Sequence, residues 1–191
     1  MGQIVGGHPA NLNDFGAALS YKGAANDCTA TIIGPETVII AAHCVRNGAV
    51  GLISLPSGGY PATCKRSPDF DGSHYDVALC STTTPIVLLN GATYERISID
   101  PALPTIPGKL LLQGLGCRAV GASGKTSYLS EGDANITNPG DLYGEITTIG
   151  GVAVCSGDSG GPAYLKSQDG KSRVMVGINM LSHPDLSSTL V

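Results

Sequence analysis

Short apolar or β-branched runs, each closed by Gly, Pro, Asn or Asp, recur along the chain, while helical periodicity is weak throughout. Such runs read as strands bounded by turns. They fall at 29–33, 37–42, 50–55, 60–65, 77–82, 109–113, 134–137, 145–149 and 174–180, with a final short one at 187–191. The closing signals are local: Gly34-Pro35 ends the first run and Pro56-Ser57-Gly58-Gly59 the third. Many short strands at this spacing predict an all-β barrel or sandwich. Residues 41–45 have room for one helical turn at a strand end. Pro101, Pro104 and Pro107 lie within seven residues, which disfavours regular structure and stiffens a connection. The chain is therefore expected to divide into 1–102 and 103–191, the alternative being one long surface loop. The Gly/Ser-rich segment 120–132 is expected to be a mobile loop.

Composition narrows the classes. Of 191 residues, 42% are hydrophobic and only 14% charged, against roughly 25% charged in an ordinary globular protein. Disorder driven by charge repulsion is excluded. The 27 glycines follow no period, which excludes collagen. Eleven Lys and Arg against 15 Asp and Glu give a net charge of -4. A basic excess, the footprint of a nucleic-acid binder, is missing, and no apolar run approaches the ~20 residues of a membrane span. Neither nucleic acid nor membrane is an expected partner. Cys28, Cys44, Cys64, Cys80, Cys117 and Cys155 are dispersed, with no Cys-x-x-Cys pair. An even number in a charge-poor chain points to three disulfides and an oxidising, extracellular or periplasmic, location. The bland alternative is six buried thiols. The opening Met1 to Gly7 has no basic and apolar leader pattern, so a secreted chain is expected to have lost its signal peptide ahead of it.

Three local patterns bear on chemistry: Ala41-Ala42-His43-Cys44 at a strand end, Asp76-Val77-Ala78-Leu79 opening another strand, and Gly157-Asp158-Ser159-Gly160-Gly161-Pro162. Singly, each has an ordinary reading as a packed histidine, a capping acid or a tight turn. Together they meet the needs of acyl transfer. A serine hydroxyl is a weak nucleophile unless a base removes its proton during attack. Histidine titrates near neutrality and suits that task. A buried carboxylate holds the imidazole in one tautomer. Glycines beside the serine let backbone N–H groups converge on a developing oxyanion; Gly157 and Ser159 are the candidate donors.

On Ile4-Val5-Gly6-Gly7, Ala41-Ala42-His43-Cys44, Asp76-Val77-Ala78-Leu79, Gly114-Leu115-Gly116 and Cys155-Ser156-Gly157-Asp158-Ser159-Gly160-Gly161-Pro162, the chain resembles the trypsin/chymotrypsin-like serine protease family over nearly its whole length. The resemblance implies two packed six-stranded Greek-key β-barrels with the active site between them. It implies a serine endopeptidase with Ser159 as nucleophile, His43 as general acid/base, Asp76 as orienting carboxylate, and an oxyanion hole at Gly157 and Ser159. It needs no cofactor and no metal. Its partners are protein or peptide substrates, and the class also admits a protein inhibitor. The family disulfide at the histidine loop corresponds to Cys28–Cys44. Cys155 resembles a cysteine whose usual partner lies further on, where this chain has none, so Cys117–Cys155 and Cys64–Cys80 are the expected remaining bridges among the fifteen pairings open to six cysteines. In the family a freshly cut N-terminal amine pairs with the carboxylate matching Asp158. Ile4 is then the inserting residue, and Met1 to Gln3 must be removed for full activity.

The family's pocket floor lies six residues before the nucleophile, at Ala153, followed by Val154 and Ser156, with Met180, Leu181 and Ser182 as the far wall. An uncharged floor cannot offset the desolvation of a buried cation, so the expected preference is for an apolar rather than a basic residue before the scissile bond. The chain departs from the family at Met180, where a serine normally supports the aspartate; Asn179 or a water is the expected substitute. Two rivals remain. One is a non-catalytic family member acting as a binding module. The other is an α/β-hydrolase, since Gly157 to Gly161 also satisfies Gly-x-Ser-x-Gly with Asp169 and His183 following. That fold demands helices, which the pattern lacks. His8, His43, His74 and His183 show no metal-ligand spacing.

Overall fold

Along Ala78–Thr82 buried and exposed side chains alternate without a break, the mark of a strand with one face in a core and one in water. The computed structural model describes residues 4–10, 18–22, 27–88, 92–100, 102, 104–117, 119 and 128–191. In it the strands are β1 (His8–Pro9), β2 (Ala18–Lys22), β3 (Asp27–Gly34), β4 (Thr37–Ile40), β5 (Val50–Leu55), β6 (Gly58–Arg66), β7 (Ala78–Thr82), β8 (Lys109–Gly114), β9 (Ser130–Asn138), β10 (Ile146–Gly151), β11 (Pro162–Lys166), β12 (Arg173–Ser182) and β13 (Ser188–Leu190). A closed barrel runs in the order β2-β3-β4-β7-β6-β5. A second sheet, β9-β10-β13-β12-β11-β8, closes by pairing β8 with β9, and β1 adds to β9. The molecule is thus two six-stranded antiparallel β-barrels. Closure leaves no long free sheet edge.

Each barrel has its own apolar interior. Ile32, Ile40 and Ile53 lie in the first; Ile4, Leu110, Leu112 and Leu190 lie in the second. Leu111, Tyr164, Met175 and Ile178 come from second-barrel strands but pack with the first core. Burial of this apolar surface fixes how the barrels meet. The connection is stitched to both: the Glu95 N–H donates to the Ile32 carbonyl (3.0 Å), and the Met175 N–H to the Arg96 carbonyl (2.8 Å). The expected boundary at 102/103 falls between the last strand of the first barrel and the first of the second, where 101 and 103 lie outside the described residues.

Three strands were not legible in the pattern. β1 and β2 are short, and β11 hides behind Gly160-Gly161-Pro162. The expected loop at 120–132 is corrected at its end: Ser130, Glu131 and Gly132 open β9, while 120–127 lie outside the described residues. Their polar letters mislead because Ser130 and Gly132 are the inward positions.

Candidate active site

β4 ends at Ile40, and a three-residue 3-10 turn, Ala42–Cys44, carries His43 away from the barrel. Cys44 is bonded to Cys28 of β3, which pins that turn. The Ala42 N–H donates to the Asp76 carbonyl (3.1 Å), bringing the segment that leads into β7 alongside. Asp76 is buried. Its Oδ2 lies 2.5 Å from His43 Nδ1, and its Oδ1 accepts the His43 backbone N–H at 2.7 Å. With Nδ1 carrying the proton, Nε2 presents a lone pair. The carboxylate therefore fixes both tautomer and ring orientation. Asn179 does not supply the expected support for Asp76: its amide donates to the carbonyls of Gln113 (2.8 Å) and Asp158 (3.3 Å). The His43 backbone N–H takes that part.

Ser159 sits between β10 and β11, in the loop contributed by the second barrel. Its Oγ donates to the Met180 carbonyl at 3.4 Å. His43 Nε2 lies 3.6 Å from Cys44 Sγ. A hydrogen bond between Ser159 Oγ and His43 Nε2 thus requires the hydroxyl to turn. Gly157 adopts φ +97°, a left-handed conformation that a side chain would strain. Among the described residues, neither the Gly157 nor the Ser159 N–H has an acceptor within the protein. The loop is held from several sides. Thr29 of β3 donates its hydroxyl to the Gly157 carbonyl (2.8 Å), accepts the Leu115 N–H (3.0 Å), and donates its own N–H to the Ser159 carbonyl (3.0 Å). Asn179 exchanges backbone bonds with Gly160 and Gly161, both 2.7 Å.

Asp158 is fully buried. Its Oδ1 accepts the Gly116 N–H and its Oδ2 the Cys155 N–H, each at 2.7 Å. Burial pushes its carboxyl up to about 8, the two N–H donors opposing the shift only in part. A Cβ on Gly114 would stand 2.0 Å from Asp158 Oδ1, so Gly114 is the condition for this carboxyl to fit. Ile4 is buried, and Val5 bridges Ala153 through a reciprocal pair of bonds at 2.9 and 3.1 Å. Cys117 and Cys155 are bonded, as are Cys64 and Cys80.

A cleft of about 460 Å³ joins His43, Asp76 and Ser159 to Val154, Ser156, Met180, Leu181 and Ser182. Ala153 is buried with its backbone spent on Val5, and the cleft lining begins at Val154. A register shift between Asn179 and Leu181 makes Met180 a bulge against β13, a common device beside sites. β12 pairs with β11 only as far as Ile178, which leaves the edge of 180–182 on the β11 side without a strand partner among the described residues.

Gly72 and Ser73 form another wall of the cleft. Next to them, Asp71 accepts from the His74 ring (3.0 Å) and backbone (2.7 Å), and His74 stacks on Tyr143 at 3.8 Å. The hydrogen bond to Asp71 raises the His74 pKa, with Glu145 and Asp141 adding to it. His183 Nε2 lies 2.9 Å from Thr189 Oγ1, and Asp169 accepts the Ser167 hydroxyl in an exposed turn. No helix beyond the 3-10 turn is found among the described residues, so the elbow reading of Ser159 fails. Cys28, His43 and Cys44 cluster as metal ligands would, but both sulfurs are in a disulfide. The sequence pattern had not singled out Thr29: only its place across the seam marks it.

The family model described as Trypsin matches residues 4–188. Hypodermin-B of Hypoderma lineatum is 27% identical over 190 residues, covering 86% of this chain and 73% of that protein. A trypsin of Sus scrofa is 25% identical over 189 residues, covering 87% and 81%. A trypsin-like protease of Streptomyces glaucescens is 26% identical over 208 residues, covering 92% and 71%. The structure of neuropsin, a serine protease expressed in the limbic system of mouse brain, superimposes with a TM-score of 0.78 at 16% identity, over 98% of this chain and 94% of that one.

Proposed function

The chain belongs to the trypsin family and is a serine endopeptidase, and from that premise we propose how its own residues perform and direct the cleavage. Ser159 is the nucleophile, His43 the general acid/base and Asp76 the orienting carboxylate. The observation carrying this reading is the cleft in which a histidine fixed by a buried carboxylate faces a serine whose loop offers two N–H groups without acceptors. The substrate lies along the open edge of 180–182 as an added strand. Ser159 Oγ attacks the scissile carbonyl while His43 Nε2 takes its proton. The carbonyl oxygen becomes an oxyanion and accepts from the Gly157 and Ser159 N–H groups. His43 returns the proton to the leaving amine, which leaves an acyl group on Ser159. Water then repeats the sequence and frees the acid.

The residue preferred before the scissile bond is apolar. Val154, Met180 and Leu181 line the cleft, and Ala153 stands at the floor position where the resemblance would put an aspartate in a Lys- or Arg-directed member. Asp158 and Ile4 form the activation pair. With Met1 to Gln3 attached, the Ile4 nitrogen is a neutral amide and burial favours the protonated form of the Asp158 carboxyl. Cutting before Ile4 creates an ammonium that ionises it. The three disulfides agree with an oxidising compartment, and secretion is the location we assign.

A fluorophosphonate probe tests the nucleophile: it is expected on Ser159, absent in His43→Ala, and Ser159→Ala should lower kcat by on the order of 10⁶. No labelling of the parent chain would leave a binding module as the better reading, and unaltered labelling in His43→Ala would overturn His43 as the base. Peptide amides with Phe, Leu, Ala or Arg before the scissile bond test the pocket; Arg as the best substrate overturns it. Intact mass beside activity tests the activation pair, since full turnover with Met1 in place contradicts it.

A further inference from the structure

A second concavity, of about 550 Å³, shares no residue with the catalytic cleft. It lies on the seam, between the connector residues 93–96 and the β11–β12 hairpin. Its walls carry Arg96, Lys166, Lys171 and Arg173 against one carboxylate, Glu95. Four of the chain's 11 basic side chains thus gather in one hollow of a protein whose net charge is -4.

Not all four are available. Arg173 pairs with Glu95, both largely buried, and its guanidinium lies 4.2 Å over the Tyr164 ring. Lys166 Nζ is 2.8 Å from Asp133. Arg96 and Lys171 are exposed and, among the described residues, have no carboxylate partner. Asp169, in the same hairpin as Lys171, is spent on the Ser167 hydroxyl and on the Lys171 backbone N–H. The two free cations come from different segments that line the concavity, Arg96 from the connector and Lys171 from the β11–β12 hairpin. The backbone beneath Arg96 is fixed, because Glu95 is bonded to β3 and the Arg96 carbonyl to Met175 of β12. A guanidinium fork, an ammonium and the hydroxyls of Thr93 and Ser172 suit a tetrahedral oxyanion. The volume falls within the usual range of small-ligand sites.

We propose that this concavity binds an oxyanion ligand carrying at least two phosphate or sulfate esters, held between Arg96 and Lys171. Because the site is built from the connector and from three strands and a hairpin of the second barrel, such a ligand binds only the folded chain and raises its melting temperature. It leaves the catalytic cleft free.

Sucrose octasulfate and tripolyphosphate are the two probes, titrated by calorimetry and followed by thermal melting at 20 and 200 mM salt, concentrations set at roughly a threefold change in Debye length. Both should bind the intact chain, more weakly at the higher salt. Arg96→Gln/Lys171→Gln should weaken binding at least about tenfold, an effect of the size expected for losing charge-assisted bonds. Its own melting point and its peptide hydrolysis should be unchanged. Arg96→Lys should bind more tightly than Arg96→Gln and more weakly than the parent chain, keeping the charge and losing the fork. Lys22→Gln/Lys65→Gln, on the first barrel, should have no effect on binding. Tighter binding of one probe distinguishes a phosphate-bearing from a sulfate-bearing ligand. Absence of binding at low salt, undiminished binding by Arg96→Gln/Lys171→Gln, or an equal loss in the Lys22/Lys65 control overturns the proposal, the last by showing diffuse attraction only.

Discussion

Thr29 is buried in β3, yet its hydroxyl and backbone N–H reach three residues of the second barrel. Replacing it by valine keeps the shape and orphans the Gly157 carbonyl and the Leu115 N–H. Each buried group left unpaired costs about 1–3 kcal/mol. Thr29→Val should therefore lower the melting temperature and, by loosening the Gly157 loop, lower kcat by roughly 10- to 100-fold with little change in KM. Thr29→Ser should restore both; steady-state kinetics beside calorimetry is the check. A second residue-scale effect concerns His74 and Asp71. The His74 pKa is raised by its bond to Asp71, so its stabilisation is complete below the unfolded value and disappears as pH rises through the folded one. The Asp71 pKa is lowered, first by the His74 N–H, so its share is present above the unfolded value and is lost only in acid. The difference in melting temperature between the parent chain and His74→Gln should consequently be larger at pH 5.5 than at pH 9.

At the scale of elements, the disulfides divide by what they join. Cys64 and Cys80 face each other across β6 and β7 within one barrel. Cys117–Cys155 instead ties the segment after β8 to the residue whose N–H holds Asp158. Loop closure over 16 and 38 residues contributes about 3 and 4 kcal/mol respectively in the chain-entropy view. Removing either pair as double alanine should lower the melting temperature by roughly 6–16 °C. Only the loss of Cys117–Cys155 should also reduce kcat, because it alone supports the nucleophile loop; melting curves and kinetics on the two variants decide this. Elements also show what the letters concealed. The runs at 50–55 and 109–113 were plain because apolar residues are bounded by turn residues. β9 was half hidden because Ser130 and Gly132 sit where a core residue is expected, and Gly132 leaves room for Val152.

For the whole molecule, the apolar seam, the Thr29 clamp and the stitched connector make the barrels one cooperative unit. Scanning calorimetry should give a single transition with equal calorimetric and van't Hoff enthalpies; two separate transitions would show barrels that fold independently. The chain by itself determined the strand-rich class, the reading of three disulfides and the candidates proposed for acyl transfer, because turn residues, cysteine number and short motifs are local and survive without coordinates. Tertiary structure alone decided that Asn179 grips the Asp158–Gly161 loop rather than Asp76, that the His43 N–H supports that carboxylate, that Ala153 is spent on Val5, and that four cations converge on the seam. Those outcomes depend on distances between residues far apart in sequence, which barrel closure and burial of apolar surface set and no neighbouring letters encode.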